Sequence, residues 1–323
     1  MATRELNVLT DDGVMLAGEE SAPDSAGTRS LDTGHQGDSD AARSGVERLP
    51  IVLLHGLTAT RRYVVMGSRL MERSGYRVIA YDARGHGRST PPLLAGGGTA
   101  GEAEYGYVRL ARDLEAVLDA LELPRAAFAG ASMGAHTILR FALDHPERVA
   151  ALGLVTPAFD PAANAGGSGG MGAAPDGGLV TPEGNRDVLA RALREGGVEA
   201  FVRAYDFSTV PPAWRETVEL VVSQRLSLHE HPAAVADAME VVSRSRPFED
   251  FAELVAIAVP TVVVASRDEV DPGHPLALAE RYAQAIPGAT LTVEDGGPPV
   301  RSPIAWQGGQ LSKVLLELLA RIG

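Results

Sequence analysis

The chain contains no cysteine among its 323 residues, which excludes disulfide bonds, thiolate zinc sites and a cysteine nucleophile. No apolar run approaches the roughly 18 residues that a membrane-spanning helix needs. The N-terminal stretch "MATRELNVLTDDG" also lacks the apolar region of a signal peptide. We therefore expect a cytoplasmic protein that does not associate with a membrane.

Positive charge is scarce as well. The 29 Lys and Arg residues stand against 42 Asp and Glu, which gives a net charge of −13. This balance argues against nucleic acid or an anionic lipid surface as a partner. A hydrophobic content of 45% suffices for the sizeable core of a globular protein. No pattern in the sequence indicates the oligomeric state.

The first strands are expected as an antiparallel pair. "ELNVLT" and "VMLAGEES", joined by Asp11 to Gly13, predict a β-hairpin. The Gly-, Ser- and Asp-rich residues 22–48 follow and are expected to form a flexible loop. His35 lies in that stretch, away from any predicted element.

From Leu49 onward, apolar strand runs alternate with amphipathic helical segments, as in "LPIVLLHG", "YRVIAYDARGHG", "RAAFAGAS" and "RVAALGLVTP". Continuous apolar strands between such helices are typical of a parallel sheet covered on both faces, so the fold class is α/β. Residues 1–156 and 249–323 are expected to form the core.

Residues 157–248 interrupt this alternation with helical segments. We expect them to form a lid over the carboxyl ends of the strands, where open α/β sheets bind ligands, although helices packed away from any site are the alternative. Five aromatic residues of this region are candidates to line an acyl pocket or simply to be core: Phe201, Tyr205, Phe207, Trp214 and Phe248.

The segment "GASMGAH", residues 130–136, contains a Gly-x-Ser-x-Gly pattern centred on Ser132. A second match, "GGSGG" at 166–170, lies in a low-complexity run and shows that the pentapeptide alone is weak evidence. Ser132 differs because a buried-strand run precedes it and a helical segment follows it, which is the setting of a nucleophilic serine. The start of that helix places the Met133 amide where it could stabilise an oxyanion.

Three further stretches resemble the α/β-hydrolase superfamily from about Leu49 to the last helix: "LLHGLTAT", "YDARGHGRS" and "VPTVVVASRDEVDP". The resemblance implies an α/β-hydrolase fold, a second oxyanion donor at the Leu57 amide, and an acid at Asp268. Glu269 and Asp271 are close rivals for that acid, and Asp160 is a further alternative. Asp82 and Arg84 are expected to form a structural ion pair or loop hydrogen bonds, and His55 and His86 to support their loops.

The resemblance also predicts a histidine base after the last strand, yet "EDGGPPVRSPIAW", residues 294–306, contains none. Arg301 cannot accept a proton, and Glu294 or Asp295 would be a weak base toward a serine hydroxyl. The one histidine after Asp268 is His274, which is the candidate base and is alternatively a cap of the following helix.

Other imidazoles remain open at this point. His136 is expected on the flank of its helix and His145 at a helix end, while His229 and His231 could reach down from the insertion. The His-x-His spacing of the last two invites a metal interpretation, but no companion ligand accompanies it. No metal or cofactor is therefore expected.

These residues predict a serine hydrolase acting on a small carboxylic ester, amide, thioester or lactone through an acyl-enzyme on Ser132. The alternative is a catalytically impaired relative that binds a small ligand or a partner, because the usual histidine is missing. A third possibility is acyl transfer to an acceptor other than water.

Overall fold

A computed structural model describes residues 2–22, 48–94, 99–162, 183–210, 212–268, 271, 273–294, 306 and 309–322, without the side chains of 183–185 and 209. Most of the expected loop at 22–48 and the second serine motif at 166–170 lie outside the described residues. Within the described part of the chain, no helix combines the length and the apolar character needed to cross a membrane.

The described strands form one eight-stranded sheet in the order β1-β2-β4-β3-β5-β6-β7-β8. Their bounds are β1 Ala2–Leu9, β2 Met15–Ala22, β3 Ile51–Leu54, β4 Val78–Tyr81, β5 Ala126–Ala131, β6 Val149–Val155, β7 Thr261–Ala265 and β8 Thr290–Val293. β1 pairs antiparallel with β2, and β2 pairs antiparallel with β4, while the pairs from β4 to β8 are parallel. The predicted hairpin and the predicted α/β class are confirmed.

Helices cover the sheet and form the insertion. They are α1 Leu70–Arg73, α2 Glu102–Tyr105, α3 Tyr107–Ala120, α4 Met133–Asp144, α5 Glu183–Ala204, α6 Arg215–Leu226, α7 Pro232–Val242, α8 Leu276–Ala285 and α9 Gln310–Leu319. Between β3 and β4 the helical structure is limited to a 3₁₀ turn and the four residues of α1. Met66 and Gly67 adopt positive φ angles there, which interrupts a right-handed helix.

Apolar side chains bury the central strands on both faces. β3, β4 and β6 are buried along their whole length, which explains why their sequences show continuous apolar runs instead of alternation. α3, α4 and α8 contribute to the cluster on one face, and α9 contributes to the cluster on the other. The sheet is therefore held from both sides, and the carboxyl ends of its parallel strands lie at one edge.

The insertion between β6 and β7 has an apolar cluster of its own, built from α5, α6 and α7. Phe201, Tyr205, Phe207 and Trp214 belong to this cluster, whereas Phe248 packs in the main core against Phe159 at a ring distance of 5.1 Å. Leu57, from the loop after β3, packs on the insertion's cluster. The insertion therefore contacts the core at the carboxyl edge of the sheet.

Candidate active site

Ser132 lies at the sharp turn between β5 and α4. Its φ of 49° and ψ of −110° form a strained conformation for a residue with a side chain. The Ser132 amide donates to the Val155 carbonyl at 2.9 Å, which anchors the turn to β6. The hydroxyl of this half-buried residue is thus presented at the carboxyl edge of the sheet.

The two glycines of the motif are required by close backbone approach. A Cβ on Gly134 would overlap the Leu54 carbonyl, and a Cβ on Gly130 would overlap the Gly134 carbonyl. Neither overlap can be relieved by a side-chain rotation, because backbone atoms are on the other side of each contact. The spacing of the pentapeptide therefore follows from the packing of β3, β5 and α4.

The imidazole of His274 is the group that meets the serine. His274 Nε2 lies 3.0 Å from Ser132 Oγ, which is within hydrogen-bonding distance. His274 precedes α8, so the imidazole that faces Ser132 comes from the loop after β7 and not from the stretch after the last strand. The sequence prediction named this histidine, and the structure brings it to Ser132.

The carboxylate against this imidazole belongs to Asp271. Both of its oxygens lie 2.9 Å from His274 Nδ1, so the Nδ1 hydrogen is donated to Asp271 and Nε2 faces Ser132 as an acceptor. Asp268, the acid preferred from sequence, is engaged elsewhere: its Oδ1 accepts the Leu276 amide at the start of α8, at 2.7 Å. Asp160 pairs with Arg281. The structure thus places the rival Asp271, and not Asp268, beside the imidazole.

The pair is electrostatically coupled. Burial alone would lower the pKa of His274, but the charge and hydrogen bonds of Asp271 outweigh it, and the pKa lies above the ordinary value for histidine. Burial likewise raises the pKa of Asp271, and the positive charge of His274 reverses this, so the net pKa of Asp271 is lowered. The Asp271 carboxylate therefore stabilises the imidazolium that forms when the neutral His274 ring accepts a proton at Nε2.

Two backbone amides lie beside the serine. Met133 is the first residue of α4, where helix amides are not bonded within the helix. A Cβ on Gly56 would stand 3.3 Å from the Ala131 carbonyl and 3.5 Å from Ser132 Cβ. The loop that carries Leu57 therefore passes directly alongside the turn of Ser132, as a second oxyanion donor requires.

Three further histidines of the described residues lie away from Ser132 Oγ, in α4 or at helix ends. His136 is buried in α4, where its Nε2 accepts the Ala158 and Phe159 amides at 3.0 and 3.1 Å, and burial lowers its pKa to about 3. His145 and His231 stand at helix ends. Among the described residues, no group of three or more His, Asp or Glu side chains could hold a metal ion.

His229 does reach down from the insertion, but to the core loops and not to Ser132. With His55 and His86 it forms a buried cluster that sequence reasoning missed; the separate histidines were noted, but nothing in their spacing indicates that they meet. The centroid of the His86 ring lies 5.2 Å from that of His55 and 5.5 Å from that of His229.

Asp82 and Arg84 fix the loop after β4, as expected. Asp82 accepts the Arg61 and Arg88 amides at 2.8 and 3.1 Å. Arg84 is fully buried and binds the Asp113 carboxylate through two hydrogen bonds of 2.7 Å each. Both residues therefore stabilise the loops around the serine without contacting it themselves.

Comparison with known proteins gives consistent matches. The family model described as the α/β hydrolase fold matches residues 50–168. "Putative carbamate hydrolase RutD" from Variovorax paradoxus is 30% identical over 250 residues, covering 77% of this chain and 83% of that protein. A 2-hydroxy-6-oxononadienedioate/2-hydroxy-6-oxononatrienedioate hydrolase from Cupriavidus pinatubonensis is 27% identical over 281 residues, covering 83% and 88%.

A solved structure shares the fold over nearly the whole chain. The enol-lactonase from Burkholderia xenovorans superposes with a TM-score of 0.66 at 20% identity, covering 98% of this chain and 100% of that one. At this identity the match concerns the fold alone.

Proposed function

Because the chain belongs to the α/β-hydrolase family and is a hydrolase of that fold, we propose that it is a serine hydrolase with Ser132 as its nucleophile. Its substrate is a small carboxylic ester, amide, thioester or lactone, and the reaction passes through an acyl-enzyme. The observation that carries this proposal is the 3.0 Å distance between Ser132 Oγ and His274 Nε2.

The first half of the reaction forms the acyl-enzyme. Ser132 Oγ attacks the substrate carbonyl carbon while His274 Nε2 takes the hydroxyl proton. Asp271 holds the ring in the required tautomer and stabilises the imidazolium. The tetrahedral intermediate then collapses: the bond from carbon to the leaving group breaks, and His274 returns the proton to that group.

The second half releases the acid. A water molecule attacks the acyl carbonyl, and His274 Nε2 accepts its proton. The carbon–Oγ bond breaks, and the proton passes to Ser132 Oγ, which regenerates the enzyme. In both halves the Leu57 and Met133 amides bind the developing oxyanion, a kind of contact worth about 10²- to 10³-fold in kcat.

In this proposal the insertion limits the size of the substrate. α5, α6 and α7 contact the loop of Leu57, and in this proposal residues 157–248 act as a lid over the serine. The relative from Variovorax paradoxus carries a carbamate in its name, and a carbamate presents the same carbonyl to Ser132 as an ester or amide. Carbamates therefore belong in the substrate panel.

The alternative of an impaired binding protein was motivated by the missing histidine after β8. The contacts from Ser132 to His274 and on to Asp271 support catalysis over this alternative, because they supply base and acid from another loop. None of the described residues around Ser132 favours transfer to an acceptor other than water.

The test uses serine replacement with a matched control. Ser132→Ala is expected to abolish both p-nitrophenyl acetate hydrolysis and labelling by a fluorophosphonate probe. Ser168→Ala, in the second Gly-x-Ser-x-Gly match, is expected to keep both. A Ser132→Ala protein with full activity, or a folded wild type that neither hydrolyses esters nor accepts the probe, would refute the proposed function.

A further inference from the structure

The buried cluster of His55, His86 and His229 lies directly behind the loop of Leu57. These side chains are 2%, 1% and 7% exposed, and the proposed reaction uses none of them. His55 and His86 come from the loops after β3 and β4, whereas His229 comes from the segment between α6 and α7. The cluster therefore joins the insertion to the core.

The hydrogen bonds of His229 fix its tautomer. Its Nδ1 accepts the Gly87 amide at 2.8 Å, and its Nε2 faces the Thr58 carbonyl at 3.0 Å. A carbonyl can only accept, so the hydrogen must be on Nε2. The next residue continues the attachment, since the Glu230 amide donates to the Gly87 carbonyl at 2.8 Å.

The Thr58 carbonyl connects His229 to the loop of Leu57. The peptide that begins with this carbonyl ends in the Ala59 amide, which donates to the Gly56 carbonyl at 3.1 Å. The peptide that begins with the Gly56 carbonyl ends in the Leu57 amide. Because a trans peptide is planar, with its C=O and N–H pointing in opposite directions, fixing each carbonyl also fixes the amide across it.

We propose that His229 is a positioning residue for the oxyanion hole. It is the first donor in a relay of hydrogen bonds that runs through Thr58–Ala59 and Gly56–Leu57 and ends at the Leu57 N–H. His55 supports the second step, since its Nδ1 lies 2.8 Å from the Gly56 carbonyl. This inference rests on the proposed function and adds that the insertion, through His229, sets the direction of an oxyanion donor.

Two physical effects make the relay matter to the reaction. Each hydrogen bond polarises the peptide that it reaches, so the last N–H becomes a better donor in a chain than alone. The relay also holds a strained turn, because Thr58 has a φ of 62°. Without His229, the turn can relax and the Leu57 amide can rotate away from the oxyanion.

The first test separates transition-state binding from substrate binding. His229→Phe is expected to lower kcat about tenfold with KM unchanged, and to weaken the affinity for a trifluoromethyl ketone, which forms a tetrahedral adduct on Ser132, by the same factor. This is smaller than the roughly 10²- to 10³-fold loss on removing an oxyanion donor outright. His229→Gln, which keeps an N–H donor and an acceptor, is expected to recover most of kcat.

His231→Phe is the matched control, because it changes the same residue type in the same segment. It is expected to leave kcat and the ketone affinity at the wild-type level. A folded His229→Phe protein with wild-type kcat and ketone affinity, or one that changes KM alone, would overturn the relay.

A measurement on the wild type covers the case in which His229 variants fail to fold. ¹⁵N chemical shifts of the imidazole are expected to show His229 as the Nε2–H tautomer at neutral pH, and the Nδ1–H tautomer would overturn the relay. A wild type without esterase activity refutes the proposed function instead, so the two failures are distinguishable.

Discussion

Two regions of the molecule, one loop apart, contain buried or half-buried imidazoles. The pKa of the imidazole is shifted in opposite directions in the two regions. Beside Ser132, the pKa of His274 is raised. Behind the loop of Leu57, burial lowers the pKa of His55, lowers that of His86 to well below the ordinary value, and lowers that of His229 to about 4.

The difference comes from direct contact with a carboxylate. Asp271 has both oxygens on the His274 ring. Asp82 is near the cluster and acts on His55 and His229, but its oxygens are taken up by backbone amides and by Arg61, at 3.1 Å. Burial without a carboxylate contact lowers the pKa of an imidazole and keeps it neutral. A carboxylate in direct contact raises the pKa, so the ring accepts a proton more readily.

The largest expected effect comes from removing the imidazole that we propose as the base. His274→Ala should lower kcat for a p-nitrophenyl ester by about 10³-fold or more, because Ser132 then has no base. The measurement is steady-state hydrolysis, with His231→Ala expected to remain close to wild type. If the His274→Ala protein retained more than a tenth of wild-type kcat, His274 would not be the base, and its distinction from the structural histidines would not hold.

The second effect contrasts two carboxylates of one loop. Asp271→Asn should lower kcat about 10²- to 10⁴-fold, since the ring loses the partner that orients and stabilises it. Asp268→Asn should stay within about twofold of wild-type kcat, because Asp268 Oδ1 accepts the Leu276 amide, which the oxygen of asparagine also does. A larger loss for Asp268→Asn than for Asp271→Asn would reverse the assignment of the acid.

The third prediction concerns the pH profile. The proposed mechanism needs neutral His274, whose pKa is raised. Under it, kcat/KM should fall as pH drops through a midpoint above about 6.5, the ordinary value. Asp271→Asn removes the charge that raises this pKa, so the residual activity should show its midpoint at lower pH. A midpoint that does not move would show that the charge of Asp271 does not raise the pKa of His274.

The smallest effect concerns stability. Because the pKa of His86 is lowered in the folded protein, the unfolded chain takes up the proton at a higher pH than the folded one. The contribution of His86 to the free energy of unfolding is therefore present above about pH 6.5 and is lost as the pH falls. The slope is about 1.4 kcal/mol per pH unit for one proton. His86→Asn keeps a donor for the Arg84 carbonyl, which lies 3.0 Å from His86 Nδ1, and should reduce the acid slope by about that amount.

Urea unfolding at pH 7, 6 and 5 measures this slope. His274 has the opposite sign, because a raised pKa stabilises the fold fully below about pH 6.5 and loses that contribution as pH rises through the folded pKa. An unchanged slope in His86→Asn would show that folding does not lower the pKa of His86 and would contradict the comparison.

The fold and the position of the serine could be predicted from sequence because they depend on local patterns. The hairpin, the parallel strands and the turn at Ser132 each follow from apolar periodicity and from glycines that backbone contacts require. The identity of the acid could not, because Asp268 and Asp271 are three residues apart and only the path of the loop decides which one meets the ring. Direct succession to the strand favoured Asp268, which instead bonds the first amide of α8.

The histidine cluster could not be predicted either. His55, His86 and His229 come from three loops far apart in sequence, and their meeting depends on how the insertion seats on the core. Sequence reasoning anticipated that His229 could reach downward, but not that its partners would be the Thr58 carbonyl and the Gly87 amide.

The loop between β7 and α8 places Asp271 and His274 only three positions apart. Under the proposed mechanism, acid and base form one short cassette that can be exchanged as a unit by replacing residues 268–274. The stretch after β8 then has no catalytic residue to keep in register. Its sequence is then not constrained by catalysis, although the buried Trp306 still packs in the apolar cluster of α9.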